Sequence, residues 1–300
     1  MQDKAKRNLF LAVILILIAG VVVISAVTLS NGPRTGTVEV VNENAGDNKR
    51  EIKDQYEGNI TIPKFNVAAR QYDSEKFVDK NGVITYEGGT SAVGINVNDS
   101  KGEIDWAAVK ESGVDFAMIR VGYRGTDRGL LYDDKYFAEN IKGASDAGLD
   151  VGVYFFSQAI TTTEAEEEAG VLLEKIREYK IQYPVAFYWE YQTDADGNLD
   201  QTARTKDVTG EQLTDITEAF CKKVSKSGRT ACYYATKTMG YEKLNLDKLA
   251  DYDMWYAEYK PAPSFYYNFQ MWQYTREGTV PGFAKGINVP ITLALKKYGS

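Results

Sequence analysis

The sequence predicts an irregular TIM-like β/α barrel, preceded by a single N-terminal transmembrane helix and a linker. Three features indicate this: short apolar segments recur about eight times after residue 92, amphipathic segments separate the earlier ones, and a long uncharged apolar run lies near the N-terminus. Strands that alternate with helices imply a parallel sheet, and about eight strands favour closure into a barrel. A doubly wound open sheet is the alternative.

The N-terminal apolar run, residues 9–29, contains no charged residue. At about 1.5 Å per residue it can cross a hydrocarbon layer roughly 30 Å thick. Lys4, Lys6 and Arg7 precede it, so the positive-inside rule predicts a cytoplasmic N-terminus and an extracellular C-terminal domain. We therefore assign residues 1–30 to a cytoplasmic stub and single-pass membrane anchor. A cleaved signal peptide is the alternative, although such apolar regions usually span about 7 to 15 residues.

Residues 31–75 are polar and rich in Gly, Asn and Asp, which predicts an extracellular linker. The main domain, residues 76–300, then opens with a predicted β-hairpin. In this hairpin Asn81-Gly82 separates two short alternating segments between Phe77 and Tyr86.

The remaining elements follow from apolar periodicity. The predicted strands are residues 93–97, 116–123, 151–157, 184–190, 231–236, 254–259, 269–275 and 286–289. The predicted helices are residues 106–112, 134–147, 163–179 and 209–227. The connections between the later strands are short and contain little predicted helix. We therefore expect the barrel to be irregular.

Composition excludes some functions. The net charge of −7 provides no basic stripe, so we expect no nucleic-acid partner. The chain has no histidine, so we expect no metal site and no cofactor. Cys221 and Cys232 could form a disulfide outside the cell or remain buried thiols, and the sequence leaves both possibilities open.

The functional groups of a β/α barrel gather at the C-terminal ends of its strands. The polar residues at the predicted ends include Glu190, whose charge would be costly to bury unless it is used or paired. Five segments in order closely resemble glycoside hydrolase family 25, the Chalaropsis-type lysozymes (muramidases) that cleave peptidoglycan. These segments are residues 102–106, 116–124, 147–157, 183–185 and 271–274. The resemblance covers Phe77 to the C-terminus and implies an irregular β/α barrel.

The resemblance also implies where the catalytic groups lie. The family's Asp-x-Glu motif falls on Tyr188-Trp189-Glu190, which keeps the candidate general acid Glu190 and replaces the aspartate with Tyr188. The first-strand aspartate corresponds to Asn96 and the last-strand aspartate to Asn288. Glycoside hydrolysis normally needs two carboxylates, and asparagine cannot substitute for one. This pattern predicts impaired or lost hydrolysis.

Three functions remain open at this point. The first is a membrane-anchored domain that binds peptidoglycan glycan strands, and the substrate-binding candidates are Tyr123, Tyr154, Trp189, Trp255, Trp272 and Gln273. The second is an active muramidase that uses Glu190, either with Tyr188 as a nucleophile or with the substrate's own acetamido group. The third is a scaffold that recruits a protein of the cell envelope. Aromatic residues at these positions are also typical of the hydrophobic core of a barrel, which is the alternative to sugar binding.

Overall fold

A computed structural model of the protein describes residues 38–299, which belong to one compact unit. The predicted anchor at residues 9–29 lies outside the described residues. Within them, no helix combines the length and the apolar character that a membrane crossing requires.

The first described element is a small antiparallel sheet with strands β1 (Glu39–Gly46), β2 (Lys49–Asp54) and β3 (Gly58–Pro63). Ile52 and Ile62 bury its inner face in the main core. From the central strand β2, Arg50 donates a hydrogen bond of 2.5 Å to the hydroxyl of Tyr266. The structure thus differs from the predicted linker over residues 31–75, because much of that segment is a packed sheet. Its strands were missed because only one face is apolar and β1 is almost entirely exposed.

The predicted hairpin is present as β4 (Phe77–Lys80) and β5 (Val83–Tyr86). Asn81 and Gly82 both have positive φ angles, 60° and 86°, as a type I′ turn requires. Phe77 packs edge-on against Trp272, which attaches the hairpin to the barrel.

The remaining strands are β6 (Ala92–Val97), β7 (Phe116–Arg124), β8 (Leu131–Asp133), β9 (Asp150–Ser157), β10 (Val185–Trp189), β11 (Ala231–Thr236), β12 (Asp253–Ala257), β13 (Met271–Gly278) and β14 (Val289–Ala294). All but β8 form a closed ring, because β6 pairs with both β7 and β14. Neighbours in the ring are parallel except at β14, which is antiparallel to β6 and β13. β8 extends the sheet outside the ring by pairing with β7. Closure rules out the open-sheet alternative.

The last barrel strand was predicted at residues 286–289, but it lies at Val289–Ala294. Pro290 made the later segment a poor strand candidate, since proline cannot donate a ladder hydrogen bond. In the structure Pro290 falls where the register between β13 and β14 is irregular. Strand β14 therefore tolerates the proline at this position.

Four helices cover the outside of the ring: α1 (Trp106–Glu111), α2 (Phe137–Asp146), α3 (Thr162–Lys175) and α4 (Gly210–Lys226). Side chains of Asp105, Thr161 and Thr209 cap α1, α3 and α4, respectively. At α4 the cap is reciprocal, because Gln212 accepts a hydrogen bond from the Thr209 amide. A short π-helix, Met239–Lys243, follows β11 in place of a long helix.

The two cysteines lie in different parts of the core. Cys221, on α4, packs in the layer between the ring and the helices, whereas Cys232, on β11, faces the barrel interior. Both are buried free thiols, and burial raises the pKa of each. The structure thus favours the buried-thiol alternative over the disulfide.

Candidate functional site

The C-terminal ends of the parallel strands form the mouth of the barrel, where β10 presents Tyr188 and Glu190 on the same, inward side. Side chains alternate along a strand, so Ala186, Tyr188 and Glu190 share one face and Trp189 takes the other. The structure agrees: Ala186 and Tyr188 belong to the interior cluster, and Trp189 packs in the outer layer.

Glu190 is held by a tyrosine and an arginine. Its Oε1 accepts hydrogen bonds from the Tyr234 hydroxyl at 3.0 Å and from Arg276 Nη2 at 2.8 Å. Burial raises the pKa of the Glu190 carboxyl, while the charge of Arg276 and the two hydrogen bonds oppose that rise. The side chain keeps 24% of its surface exposed, so a ligand at the mouth can reach it.

Tyr188 lies in an aromatic cluster that fills the centre of the mouth. Its ring stacks on Tyr234 with the centroids 3.9 Å apart, and it also contacts Tyr154, Phe156 and Trp255. Burial, followed by the charge of Glu190, raises the pKa of the Tyr188 phenol well above its usual value. A phenol held neutral in this way is a poor nucleophile, which argues against Tyr188 as a replacement for the carboxylate that the resemblance assigns to this position.

Asn96 belongs to a buried chain of neutral groups. It donates to Gln273 Oε1 at 2.6 Å and accepts from the Thr292 hydroxyl at 3.0 Å. Gln273 in turn donates to the hydroxyl of Tyr259, which also accepts a hydrogen bond from Arg276. Polar contacts therefore run without a break from Asn96 to Arg276 and on to Glu190.

Asn288 is not part of this network. It is exposed on the rim, where its side chain donates to Glu277 Oε2 at 2.6 Å and its carbonyl oxygen accepts from Lys101 at 2.7 Å. The structure thus brings Glu190, Tyr188 and Asn96 together at the mouth and leaves Asn288 at its edge.

The six predicted binding residues divide into two groups. Tyr154, Trp255 and Gln273 are buried in the interior below the mouth, and Tyr123 lies at its edge. Trp189 and Trp272 point away from the interior, and their indole N–H groups donate to the carbonyl oxygens of Ala159 and Glu258. The expectation that these two stack on a sugar is therefore corrected, because both are fully buried on the outer side of the sheet. It is also corrected for Trp255, whose ring is fully buried inside the barrel.

The sheet register identifies binding candidates that the sequence did not. Tyr132 on β8 pairs with Tyr123 on β7, Tyr123 pairs with Phe156 on β9, and Phe156 pairs with Tyr188 on β10. Paired residues project on the same side of a sheet, so these four side chains form a row. We call them the aromatic row. At the outer end of the row, Tyr132 is 40% exposed. At the inner end, Tyr188 stacks on the buried Tyr234.

Arg276 was also missed, and so were its contacts with Tyr259 and Glu190. Eighty-six residues separate Arg276 from Glu190, so nothing local in the sequence indicates the ion pair. A second charged cluster near the mouth is centred on Arg120, which binds Asp99 at 2.6 Å and Asp134 at 2.8 Å and lies 4.8 Å from the ring centroid of Tyr123. Within residues 38–299, no group of three or more acidic or cysteine side chains is placed to hold a metal ion.

Comparison with known proteins identifies the family. The sequence model described as "Glycosyl hydrolases family 25" matches residues 95–283, which is more than half of the chain. The chain belongs to glycoside hydrolase family 25. The family match includes Asn96, Tyr188, Glu190 and Arg276, and it excludes the β1–β3 sheet and Asn288.

Two curated relatives of this family 25 chain are lysozymes. It is 26% identical over 192 residues to the autolytic lysozyme of Clostridium acetobutylicum, which covers 64% of this chain and 52% of the relative. It is 37% identical over 70 residues to lysozyme M1 of Streptomyces globisporus, which covers 23% of this chain and 22% of the relative. The chain thus spans about half or less of the length of these two relatives.

Solved structures share the barrel fold of this family 25 chain. A family 25 glycosyl hydrolase from Bacillus anthracis superposes with a TM-score of 0.57 at 20% identity, over 73% of this chain and 95% of that one. The modular autolysin LytC from Streptococcus pneumoniae also gives 0.57, at 22% identity, over 85% of this chain and 57% of that one. At these identities the likeness establishes the fold alone.

Proposed function

We propose that this protein is a membrane-anchored, extracellular family 25 domain that binds the glycan strands of peptidoglycan and has little or no hydrolytic activity. One observation carries the proposal: Glu190, the carboxylate at the centre of the mouth, is ion-paired with Arg276, and a stacked tyrosine occupies the position that the resemblance assigns to its partner.

The arrangement alters both halves of the usual two-carboxylate chemistry. A general acid must carry a proton; burial raises the pKa of Glu190, but an arginine at 2.8 Å favours the ionised form and opposes that rise. The second position is a half-buried neutral phenol that cannot stabilise positive charge at a reacting sugar as a carboxylate does. The loss of one such group commonly costs a factor on the order of 10² to 10⁴.

Several features support retained glycan binding. The aromatic row offers apolar ring surface along the mouth, and neutral amides and hydroxyls lie beneath it. The curated relatives are named lysozymes, and a solved structure of LytC is described as a complex with a synthetic peptidoglycan ligand. The uncharged run at residues 9–29 supports the membrane anchor and the extracellular location.

An active muramidase is the second candidate, and one observation favours it. Burial raises the pKa of Glu190, which helps a general acid keep its proton, and a cavity of about 190 Å³ lies against this side chain. A bound sugar that displaces Arg276 would strengthen the effect of burial. Activity would then require a group of the substrate, such as the acetamido oxygen, to act in place of the missing carboxylate.

The test uses the full-length chain and purified peptidoglycan. Release of reducing ends measures hydrolysis, and co-sedimentation measures binding. We expect binding without hydrolysis. Hydrolysis that Glu190→Gln abolishes would establish the muramidase instead. The absence of both binding and hydrolysis would favour a scaffold that recruits a protein of the cell envelope.

A further inference from the structure

A second cavity adjoins the one at Glu190, and the two share a lysine. The smaller cavity is lined by Glu190, Tyr191 and Lys243, among others. The larger one, about 440 Å³, is lined by Lys243 together with residues of α4, the π-helix and the segment that follows β3. Lys243 is therefore common to the walls of both cavities.

The wall of the larger cavity is held by backbone contacts. A Cβ atom at Gly210 would lie 2.4 Å from the Lys243 carbonyl oxygen, so the start of α4 and the end of the π-helix are in direct contact. The Asn245 amide donates to the Thr214 hydroxyl of α4 at 3.0 Å. These contacts fix the backbone around Lys243, so the larger cavity, which we call the groove, is present before any ligand binds.

The opposite wall comes from outside the region that matches the family. Pro63, at the end of β3, and Phe65 line the larger cavity, whereas the family match begins at residue 95. The hydroxyl of Tyr267 fixes both, because it donates to the Pro63 carbonyl oxygen at 2.5 Å and accepts from the Phe65 amide at 2.9 Å. The groove is thus built jointly by the barrel and the N-terminal sheet.

The groove carries charges of both signs. Glu211 and Glu242 are its exposed acids, and Lys243 and Lys248 are its exposed bases. Lys248 already binds Asp215 at 2.9 Å, whereas Lys243 also lines the cavity that contains Glu190. The apolar part of the lining includes Phe65 and Leu244. This mixture suits a short peptide that bears both carboxylate and ammonium groups better than it suits an uncharged sugar.

We propose that this groove binds the peptide branch of peptidoglycan while the glycan strand lies across the mouth of the barrel. Lys243 pairs with a carboxylate of the branch close to its attachment to the sugar, and Glu211 and Glu242 face its ammonium group. This inference rests on the proposed glycan binding, since the branch enters the groove from a sugar bound beside Glu190.

The experiment compares two preparations of the same glycan strands. One keeps its peptide branches; in the other an amidase has removed them, and the lactyl carboxylate that this hydrolysis leaves on each sugar has been converted to an uncharged methylamide. The affinity of the full-length chain is measured for both. We expect the wild-type chain to bind branched strands about threefold to tenfold more tightly, the gain typical of one or two solvent-accessible charge contacts. Lys243→Gln should reduce this ratio to near one.

The control is Lys226→Gln, which removes another exposed lysine, at the far end of α4, and should leave the ratio unchanged. Equal affinity of the wild-type chain for both preparations would overturn the inference and leave the proposed function standing. The inference would also be overturned if Lys243→Gln kept the preference for branched strands, or if Lys226→Gln removed that preference as well. Failure of the wild-type chain to bind either preparation would refute glycan binding and this inference together.

Discussion

Arg276 determines the electrostatics of the candidate site. It contacts Glu190 directly and Tyr259 through both a hydrogen bond and a cation–π contact, with the guanidinium 5.1 Å from the ring centroid. Half of its side chain is exposed, so a ligand that enters the mouth can compete for it. The ionisation of Glu190 therefore depends on a residue outside the family's Asp-x-Glu motif.

Removing Arg276 should raise the pKa of Glu190 further. In Arg276→Gln, the effect of burial remains and the largest opposing influence, the guanidinium charge, is lost. The pKa can be measured by NMR titration of the Glu190 side-chain carboxyl carbon. Arg128→Gln is the control, because Arg128 is exposed and its neighbour is Asp127. An unchanged or lower pKa in Arg276→Gln would contradict the role assigned to the ion pair.

Restoring two acids should restore as much hydrolysis as restoring three. Asn288 lies beside Glu277 on the rim, so Asn288→Asp adds a charge away from Glu190. We expect Tyr188→Asp with Asn96→Asp to raise the release of reducing ends at least about tenfold above wild type. The triple variant that also carries Asn288→Asp should do no better. If only the triple variant is active, Asn288 has a role that its position does not suggest. Circular dichroism should accompany the assay, since removing a buried aromatic ring costs about 3–5 kcal/mol.

The β7–β8 hairpin extends the candidate site beyond the closed ring. Register pairing carries the aromatic row from Tyr188 on β10 out to Tyr132 on β8. One face of Tyr132 stacks on Tyr123 with the centroids 5.2 Å apart, and its exposure leaves the remainder of the ring open to solvent. A glycan strand that follows the row would reach Tyr132 last.

Tyr132→Ala should weaken binding of long glycan strands about threefold to tenfold, because the ring supplies stacking area at the outer end of the row. Binding of a disaccharide that reaches only the centre of the mouth should change little. Tyr252→Ala is the control, since Tyr252 is half-buried at the opposite end of the barrel. Equal losses for the long and the short ligand would show that Tyr132 acts on the whole site instead.

Helix α3 is attached to β7 by a group of charges whose centre, Arg124 and Glu168, is buried. Arg124 binds Glu168 at 2.6 Å and Glu167 at 2.8 Å, and Arg204 binds Glu164 at 2.6 Å. Three carboxyl groups therefore share two guanidinium groups. Burial raises the pKa of Glu168 to about 7, against an ordinary value near 4.5.

The pKa of Glu168 predicts a pH dependence of stability. The folded state binds the Glu168 proton more tightly than the unfolded state, so the free energy of unfolding should fall as pH rises from about 4.5 through about 7. Glu168→Gln cannot ionise and should remove this part of the decline. Urea unfolding at pH 5 and pH 8 measures the effect. Wild-type and Glu168→Gln chains that lose equal stability between the two pH values would assign the decline to other groups.

The N-terminal sheet and the barrel form one packed body, although only the barrel matches the family. Ile52 and Ile62 lie in the same core cluster as the outer layer of the barrel. Lys237, just after β11, also binds Asp54 and Glu57 at 2.5 Å each. The sheet should therefore unfold together with the barrel.

Ile52→Ala should lower the free energy of unfolding by about 2–5 kcal/mol, the usual cost of truncating a fully buried isoleucine. All four tryptophans lie in the barrel, so their fluorescence reports on it alone. A single urea transition, shifted to lower concentration, is the expected result. Val41→Ala, on the exposed face of β1, should shift it by less than about 0.5 kcal/mol. An unshifted tryptophan signal in Ile52→Ala would mean that the sheet folds independently.

Much of the barrel could be predicted from sequence, because buried parallel strands are apolar runs and helices α1 to α4 carry clear periodicity. The inner strands and all four helices lie within a few residues of their predicted bounds. The prediction failed where that pattern is weak, at one-faced strands such as β2 and at β14 with its proline. At the site, alternation along β10 was enough to place Tyr188 and Glu190 on one face. Arg276 and the aromatic row depend on distant strands that become neighbours only after closure.

Closure of the ring has a consequence for how the chain is made. β6 is the first strand of the barrel to be synthesised and β14 the last, yet the two are hydrogen-bonded neighbours. A chain that is still being synthesised cannot complete the ring until β14 has emerged from the ribosome. Newly made molecules must therefore pass through a stage in which two strand edges are unprotected, and stop codons even slightly upstream of β14 would leave them permanently in that state.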